Sequence, residues 1–328
     1  MAKVAVIGSN CFTGSHIVEA LLATGTHDVL GISRSAEPAA LFLPYAGCDR
    51  SRFAFHRIDI VRDMARLTDV LDGERPEIVI FVAALSEVAL SNDRPVEYYD
   101  INTAAVVRLC EHLRRRDWFR RYVHISSAEI FGPCTAPADE HAPFNPSTPY
   151  AVSKAAADMH LGVLAKNSGF PVTIVRSTNV YGAGQQLFKI IPRSAIYIRQ
   201  GRTIELHGGG HAMKSFIHIR DVVRGMMKAL ANDASGAFHF SVPSEKSVAD
   251  IVRLVCERMD VPFEAATRPV GERLGQDARY WLDCSRARRE LDWAPRIDLT
   301  DGIAEVVQWV DEHWQEIQSQ PLEYRHLV

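Results

Sequence analysis

The 328 residues contain no CxxC pair, no internal repeat, no low-complexity tract and no apolar run of membrane-spanning length. Each absence removes a class. Six scattered cysteines without paired spacing read as reduced, partly buried thiols, not a disulfide frame or a zinc site. Behind Met1-Ala2-Lys3 only residues 4–7 are apolar before Gly8, too short for the core of a secretory signal, so the cytoplasm is expected. Neither sign of charge dominates: 37 Lys and Arg against 40 Asp and Glu give a net charge of −3, so no nucleic-acid or anionic-membrane partner is expected. Thirteen histidines, His207, His211 and His218 among them, include no HExxH or comparable cluster, and no metal is expected.

What the chain does have is rhythm. Short apolar runs at 4–7, 29–33, 53–57, 78–82, 122–126 and 172–176 read as buried strands. They alternate with amphipathic stretches at 14–23, 61–71, 96–115 and 150–167, which read as helices. Strands apolar on both faces, separated by helices, predict a parallel sheet covered on both sides. Beyond Arg176 glycine and proline become frequent and the alternation breaks. The expectation is an α/β protein: a Rossmann-type doubly wound parallel sheet with a smaller C-terminal substrate-binding region. Residues 1–176, with 216–242 returning to them, would form the first part, and 177–215 with 243–328 the second. Helices are expected at 248–259 and 299–314 in that second part.

Gly8-Ser9-Asn10-Cys11-Phe12-Thr13-Gly14 sits between the first strand and the first helix. There a tight glycine turn lets backbone N–H groups approach a pyrophosphate at the positive end of the helix. The spacing fits Gly-x-x-Gly-x-x-Gly with Cys11 in place of the middle glycine, a side chain to be tolerated in helical backbone or paid for in affinity. The second strand ends in Ser33-Arg34, where binders of NAD usually carry an acid. A carboxylate would repel a 2′-phosphate and Arg34 would pair with it, which favours NADP and leaves NAD as the competitor. Asp59-Ile60, after the third strand, would meet the adenine end or cap the next helix.

Tyr150-Ala151-Val152-Ser153-Lys154 puts a phenol and an ammonium four residues apart on one helical face. The lysine charge, with that of an oxidised nicotinamide, is expected to lower the phenol's pKa so that it acts as a base. Alone the pair is weak evidence. It gains weight from Ser126-Ser127-Ala128-Glu129, which follows a strand at the carboxyl edge of the sheet, where such folds bind ligands.

Taken together, these motifs resemble the extended short-chain dehydrogenase/reductase family, specifically its nucleotide-sugar dehydratases and epimerases. The resemblance spans essentially the whole chain. It rests on the glycine turn, Asp59, Ala83-Ala84-Leu85-Ser86, Asn102, Ser127, Tyr150 with Lys154, and Arg176-Ser177-Thr178-Asn179-Val180-Tyr181-Gly182. It implies a nicotinamide cofactor held by Gly8, Asn10, Cys11, Phe12, Thr13, Gly14, Ser33, Arg34, Asp59, Ile60, Ala83, Ala84, Asn102, Tyr150 and Lys154. Catalysis would fall to Ser127, Glu129, Tyr150 and Lys154. A nucleotide-diphosphate sugar would meet Ser86, Ser127, Asn179, Lys189, Lys214 and Arg273. A homodimer through the helices near 96–115 and 150–167 is also implied.

Glu129 decides the branch. In 4,6-dehydratases of this family a glutamate at that place removes the C5 proton of a 4-keto sugar, while many epimerases have a non-acidic residue there. The runs from Gln185 to Pro192 and from Arg273 to Tyr280 also resemble the dehydratases. Ala128 departs from those acting on deoxythymidine-diphosphate glucose, which carry an acid there. A 4,6-dehydratase is therefore expected. The alternatives are a 4-epimerase, then a decarboxylase with the same Ser-Tyr-Lys set, and last a non-catalytic cofactor-binding scaffold or sensor.

Overall fold

The computed structural model describes residues 2–243, 246–271 and 279–324. Seven strands form one wholly parallel sheet: β1 (Lys3–Ile7), β2 (Asp28–Ser33), β3 (Phe53–Arg57), β4 (Ile78–Phe81), β5 (Arg121–Ile125), β6 (Val172–Ser177) and β7 (Gly236–Phe240). Their spatial order is β7-β6-β5-β4-β1-β2-β3. Alternate residues feed opposite cores, as the pleat requires. Val4, Val6, Ile80, Val82, Val123 and Val175 pack into one, and Ala5, Ile7, Val79, Phe81, Tyr122 and Ile174 into the other. Helices α1 (Phe12–Ala23) and α6 (Ile219–Ala231) cover the first face. The second lies under α2 (Met64–Glu74), α3 (Ala105–Leu113) and α4 (Pro149–Ser168). This is the Rossmann-type architecture expected from the strand pattern.

The chain crosses from β3 to β4, on the other side of β1, so a crevice opens at the carboxyl ends of β1 and β4. Both strand ends are tied there: Gly8 N donates to Ile32 O at 2.7 Å and Ala83 N to Ile7 O at 2.9 Å.

After β6 the chain leaves the sheet. Asn179–Tyr181 pairs in parallel with Phe216–His218, and Ile204–His207 with Thr267–Val270. A third core, with Leu187, Ile191, Ile251 and Val306, gathers α5 (Ile190–Arg199), α7 (Val248–Arg258) and α8 (Leu299–Glu312). Helix α6 and β7 then rejoin the main sheet.

One expected helix is different. The stretch 96–115 is not continuous: Pro95–Tyr99 gives way to a π-helical turn at Asp100–Ala104 before α3 begins. The wide turn aims the buried Asn102 at the loop after β4, a local rearrangement typical of π-bulges near functional sites.

Candidate functional site

Two adjoining hollows lie along the carboxyl edge. The first is a groove lined by Gly8, Asn10, Cys11, Ser33, Arg34, Asp59, Ile60, Ala83 and Ala84. Its floor is backbone. Gly8 has φ +97°, and a Cβ there would stand 2.6 Å from Ala83 N; a Cβ on Gly14 would meet Gly8 O at 2.1 Å. Only glycine allows that approach. Cys11 corrects the sequence expectation: it is the extended N-cap of α1 (φ −81°, ψ 163°), not a helical residue, so its side chain is unstrained. Its Sγ accepts from Gly14 N at 3.3 Å, and burial pushes the thiol's pKa up to about 11. Phe12 and Thr13 follow on the helix and face the second hollow.

Ser33 is buried, and its Oγ accepts from Asn10 N at 3.0 Å. The Asn10 amide nitrogen donates to Ser35 O and Ala36 O, while its buried Oδ1 has no hydrogen-bond partner among the described residues. Asp59 closes the turn after β3, its Oδ1 accepting from Val61 N and Arg62 N; it is not the cap of α2, whose N-cap is Asp63, and it lines the groove. Asn102 does not reach the groove. Its Oδ1 accepts from Leu85 N, and its Nδ2 donates to Leu85 O and Ser153 Oγ, each at 3.0 Å. With its amide engaged on both sides, it braces the 83–86 loop against α4. A glycine floor, a helix N-terminus beneath it and an orphaned polar atom at its edge fit a dinucleotide diphosphate.

The second hollow is lined by Ser86, Ser127, Ala128, Glu129, Tyr150, Lys154, Asn179, Gln186, Lys189 and Tyr280, with Cys11, Phe12 and Thr13 joining it to the groove. Ser127 caps the short turn Ala128–Phe131, its Oγ accepting from Glu129 N at 3.2 Å. Thr148 caps α4 and Pro149 opens it, so Tyr150 stands in the first turn, edge-on to Tyr98 at 6.3 Å. Lys154, one turn on and 2% exposed, donates to Ile125 O at 2.7 Å.

The electrostatics differ from the sequence expectation. The phenol of Tyr150 is held well above the usual tyrosine range. Burial is the main cause and the Glu129 charge adds to it, against a lowering hydrogen bond with Ser127. Burial also pushes the Lys154 amine down to about 8, with Asp158 opposing. The sequence shows the i, i+4 spacing but not the desolvation.

Of the remaining expected residues, Ser86 and Asn179 are exposed to the hollow. Lys189 also lines it but is ion-paired with Glu87 at 2.5 Å, across 102 residues of chain. Lys214 lies behind Tyr280, its Nζ 4.4 Å from the ring centroid, and does not line the hollow. Arg273 falls outside the described residues. Sequence reasoning passed over Gln186 and Tyr280, although both stood in runs it quoted, and Glu87, which only the fold brings to Lys189.

A Rossmann sheet with a glycine cradle beside a Ser-Tyr-Lys set defines a nicotinamide-dinucleotide enzyme. More specifically, the chain belongs to the NAD dependent epimerase/dehydratase family, whose model matches residues 4–242, within the extended short-chain dehydrogenases/reductases. It is 26% identical to the dTDP-glucose 4,6-dehydratase of Haemophilus influenzae, over 94% of this chain and 98% of that protein. It is 32% identical to the UDP-glucose 4-epimerase of Mycolicibacterium smegmatis, over 93% of this chain and 97% of the relative. Among solved structures it resembles the dTDP-glucose 4,6-dehydratase DesIV of Streptomyces venezuelae, with NAD bound (TM-score 0.88, 28% identity, 96% and 98% of the two chains covered). No helix among the described residues is long and apolar enough to cross a membrane.

Proposed function

We propose that the protein is an NAD(P)-dependent nucleotide-diphosphate-sugar 4,6-dehydratase. The observation that carries this reading is Glu129: a carboxylate lining the same hollow as Ser127 and Tyr150, close enough for its charge to act on the phenol. When bound, the nicotinamide supplies a hydride acceptor for C4 of the sugar and a donor for C6. The chain's own residues do the proton work. Ser127 holds the C4 oxygen and Tyr150 takes the C4 hydroxyl proton, while Lys154 supports the charge on the phenolate. The C4 carbonyl acidifies C5–H, whose proton Glu129 removes as the C6–O bond breaks. With Ala128 beside it, Glu129 is also the group that returns a proton to the departing hydroxide; reprotonated from solvent, it then delivers the proton that C5 requires as hydride reaches C6.

Asn179, Ser86 and Lys189 meet the sugar nucleotide, with Lys214 behind Tyr280 and Arg273 on its diphosphate. The reading assigns residues 1–176 and 216–242 to the dinucleotide, and 177–215 and 243–328 to the sugar nucleotide. Arg34, with no acid at Ser33, favours NADP over NAD. The six free thiols suit the reducing cytoplasm.

An apolar stripe supports the reading of a homodimer. Val96, Tyr99, Val152, Met159 and Val163 are all large and exposed, and they lie along Pro95–Tyr99 and α4. Large apolar side chains left exposed on neighbouring helices suit an interface. Met159→Glu is expected to give a monomer in sedimentation; an unchanged dimer would place the interface elsewhere.

A 4-epimerase is the second reading, favoured by the 32% identity to an enzyme of that name. Incubation of sugar nucleotides in deuterated water separates the two. A 4-keto-6-deoxy product carrying deuterium at C5 is expected, and is expected to disappear in Glu129→Gln. A C4 stereoisomer free of deuterium would establish the epimerase instead.

A further inference from the structure

Behind the hollow lies a set of buried polar side chains that the reaction above does not use. His124 of β5 is fully buried, and its ring lies beside Phe81 (5.9 Å, 21°) and Tyr122 (6.1 Å, 14°), which are themselves 6.3 Å apart, so the three rings form a triangular cluster. Its Nε2 is 3.3 Å from Lys154 Nζ. An ammonium only donates, so Nε2 carries the lone pair and Nδ1 the proton. That Nδ1 has no hydrogen-bond partner among the described residues. Asp158, one turn beyond Lys154 and also buried, accepts from Arg176 Nε at 2.9 Å, and its other oxygen is 3.9 Å from His124 Nε2. Arg176 continues to His239 Nε2 at 3.3 Å, whose Nδ1 faces Ala138 O at 3.1 Å. None of these four lines the hollow.

We infer, resting on the reading of Tyr150 and Lys154 as the reactive pair, that His124 and Asp158 are positioning residues which fix and charge the Lys154 ammonium. The Ile125 carbonyl and the buried imidazole give the amine two fixed acceptors, which settle where its remaining N–H points. Burial with the charges of Lys154 and Arg176 keeps His124 well below its ordinary range, so it stays a neutral acceptor and never a competing cation. Asp158 supplies the counter-charge that opposes desolvation of the lysine. Buried ions are stable only when paired and hydrogen-bonded, and here the pairing converges on one amine. The titratable or charged groups around Lys154 are His124 from β5, Tyr150 and Asp158 from α4, Arg176 from β6, His239 from β7, and Glu129 from the turn after β5. Glu140 lies beyond, against His239.

The sign of the pH effect follows. Lys154 titrates lower in the folded protein than in the unfolded chain, so its buried charge destabilises the fold below the folded value. That penalty lifts as pH rises through about 8 toward the ordinary lysine range. Without the Asp158 charge the relief begins at lower pH.

The test uses the full chain. Melting temperature against pH, from about 6 to 10, is recorded without ligand for wild type, Asp158→Asn, His124→Phe and His124→Gln, each also in a Lys154→Met background. Steady-state kcat and KM accompany the Lys154 series. Asp158→Asn is expected to move the alkaline rise in melting temperature down by roughly one pH unit, and Lys154→Met to abolish that shift. His124→Phe, which keeps the stack but not the acceptor, is expected to lower kcat roughly 10- to 100-fold with KM within about twofold. His124→Gln is expected to restore most of it. Identical shifts in both backgrounds, or equal losses in His124→Phe and His124→Gln, would overturn the inference. Should Asp158→Asn fail to fold, the His124 pair still decides. Should wild type turn over no sugar nucleotide, the proposed function fails while the melting curves still decide the array.

Discussion

The groove over β1 and β2 and the hollow over β5 and β6 sit side by side, yet they are built in different ways. The groove is made mostly of backbone: Gly8, Gly14 and the first turn of α1 shape it, and its side chains chiefly hold loops together. The hollow is made of side chains from the turn after β5, from α4, from the 83–86 loop and from the segment after β6. A backbone cradle recognises what all its ligands share, a diphosphate. A side-chain hollow can be retuned one residue at a time, and on the proposed function Glu129 beside Ala128 would be such a tuning. The contrast places the generic part of the chemistry in the first region and the outcome of the reaction in the second.

If that division holds, changes in the hollow should remove turnover and leave dinucleotide binding intact. Tyr150→Phe is expected to lose roughly 1,000-fold in kcat, the scale of a lost acid–base group, with dinucleotide affinity within about threefold of wild type. Dinucleotide titration beside a turnover assay reads both; loss of binding in step with kcat would erase the distinction. Changes in the groove should do the reverse. In Gly14→Ala the new methyl would stand 2.1 Å from Gly8 O, a backbone atom that cannot swing aside. We expect about 2 kcal/mol of destabilisation by denaturant unfolding and roughly tenfold weaker dinucleotide binding. Near-wild-type affinity would show that the turn is not a cradle at all.

The groove was legible in the sequence for the same reason it is generic. Glycine spacing after an apolar run reports backbone geometry directly, and β1, α1 and the Ser33-Arg34 strand end lie within 34 residues. The sheet was legible because both faces are buried, which leaves continuous apolar runs. The hollow was legible only where partners are close in sequence, as with Tyr150 and Lys154 or Ser127 and Glu129. Contacts such as Lys189 to Glu87, or Lys154 to His124, close over 102 and 30 residues and leave no local signature. Desolvation also leaves none. The spacing that suggested an acidified phenol could not show that burial would raise it and lower its lysine neighbour. Asn102 shows the same limit, since the π-turn that lets it brace the 83–86 loop leaves no mark in the sequence.

The smallest expected effect concerns the one place where a side chain gives the groove its specificity. Ser33 is neutral and already accepts from Asn10 N, so on the proposed preference for NADP discrimination at that end would fall to the partly exposed Arg34 lining the same groove. A solvent-exposed contact to a 2′-phosphate is worth about 1 kcal/mol, because water and salt screen it. Arg34→Glu should therefore weaken NADP roughly fivefold, a little more through repulsion, and change NAD less than about twofold. Fluorescence titration of both dinucleotides at low and high salt measures it, and the NADP effect should shrink as salt rises. Equal losses for the two would mean that Arg34 supports the loop, not the phosphate. No loss for either would leave Arg34 as surface charge and make this end of the groove as indifferent to side chains as the glycine turn beside it.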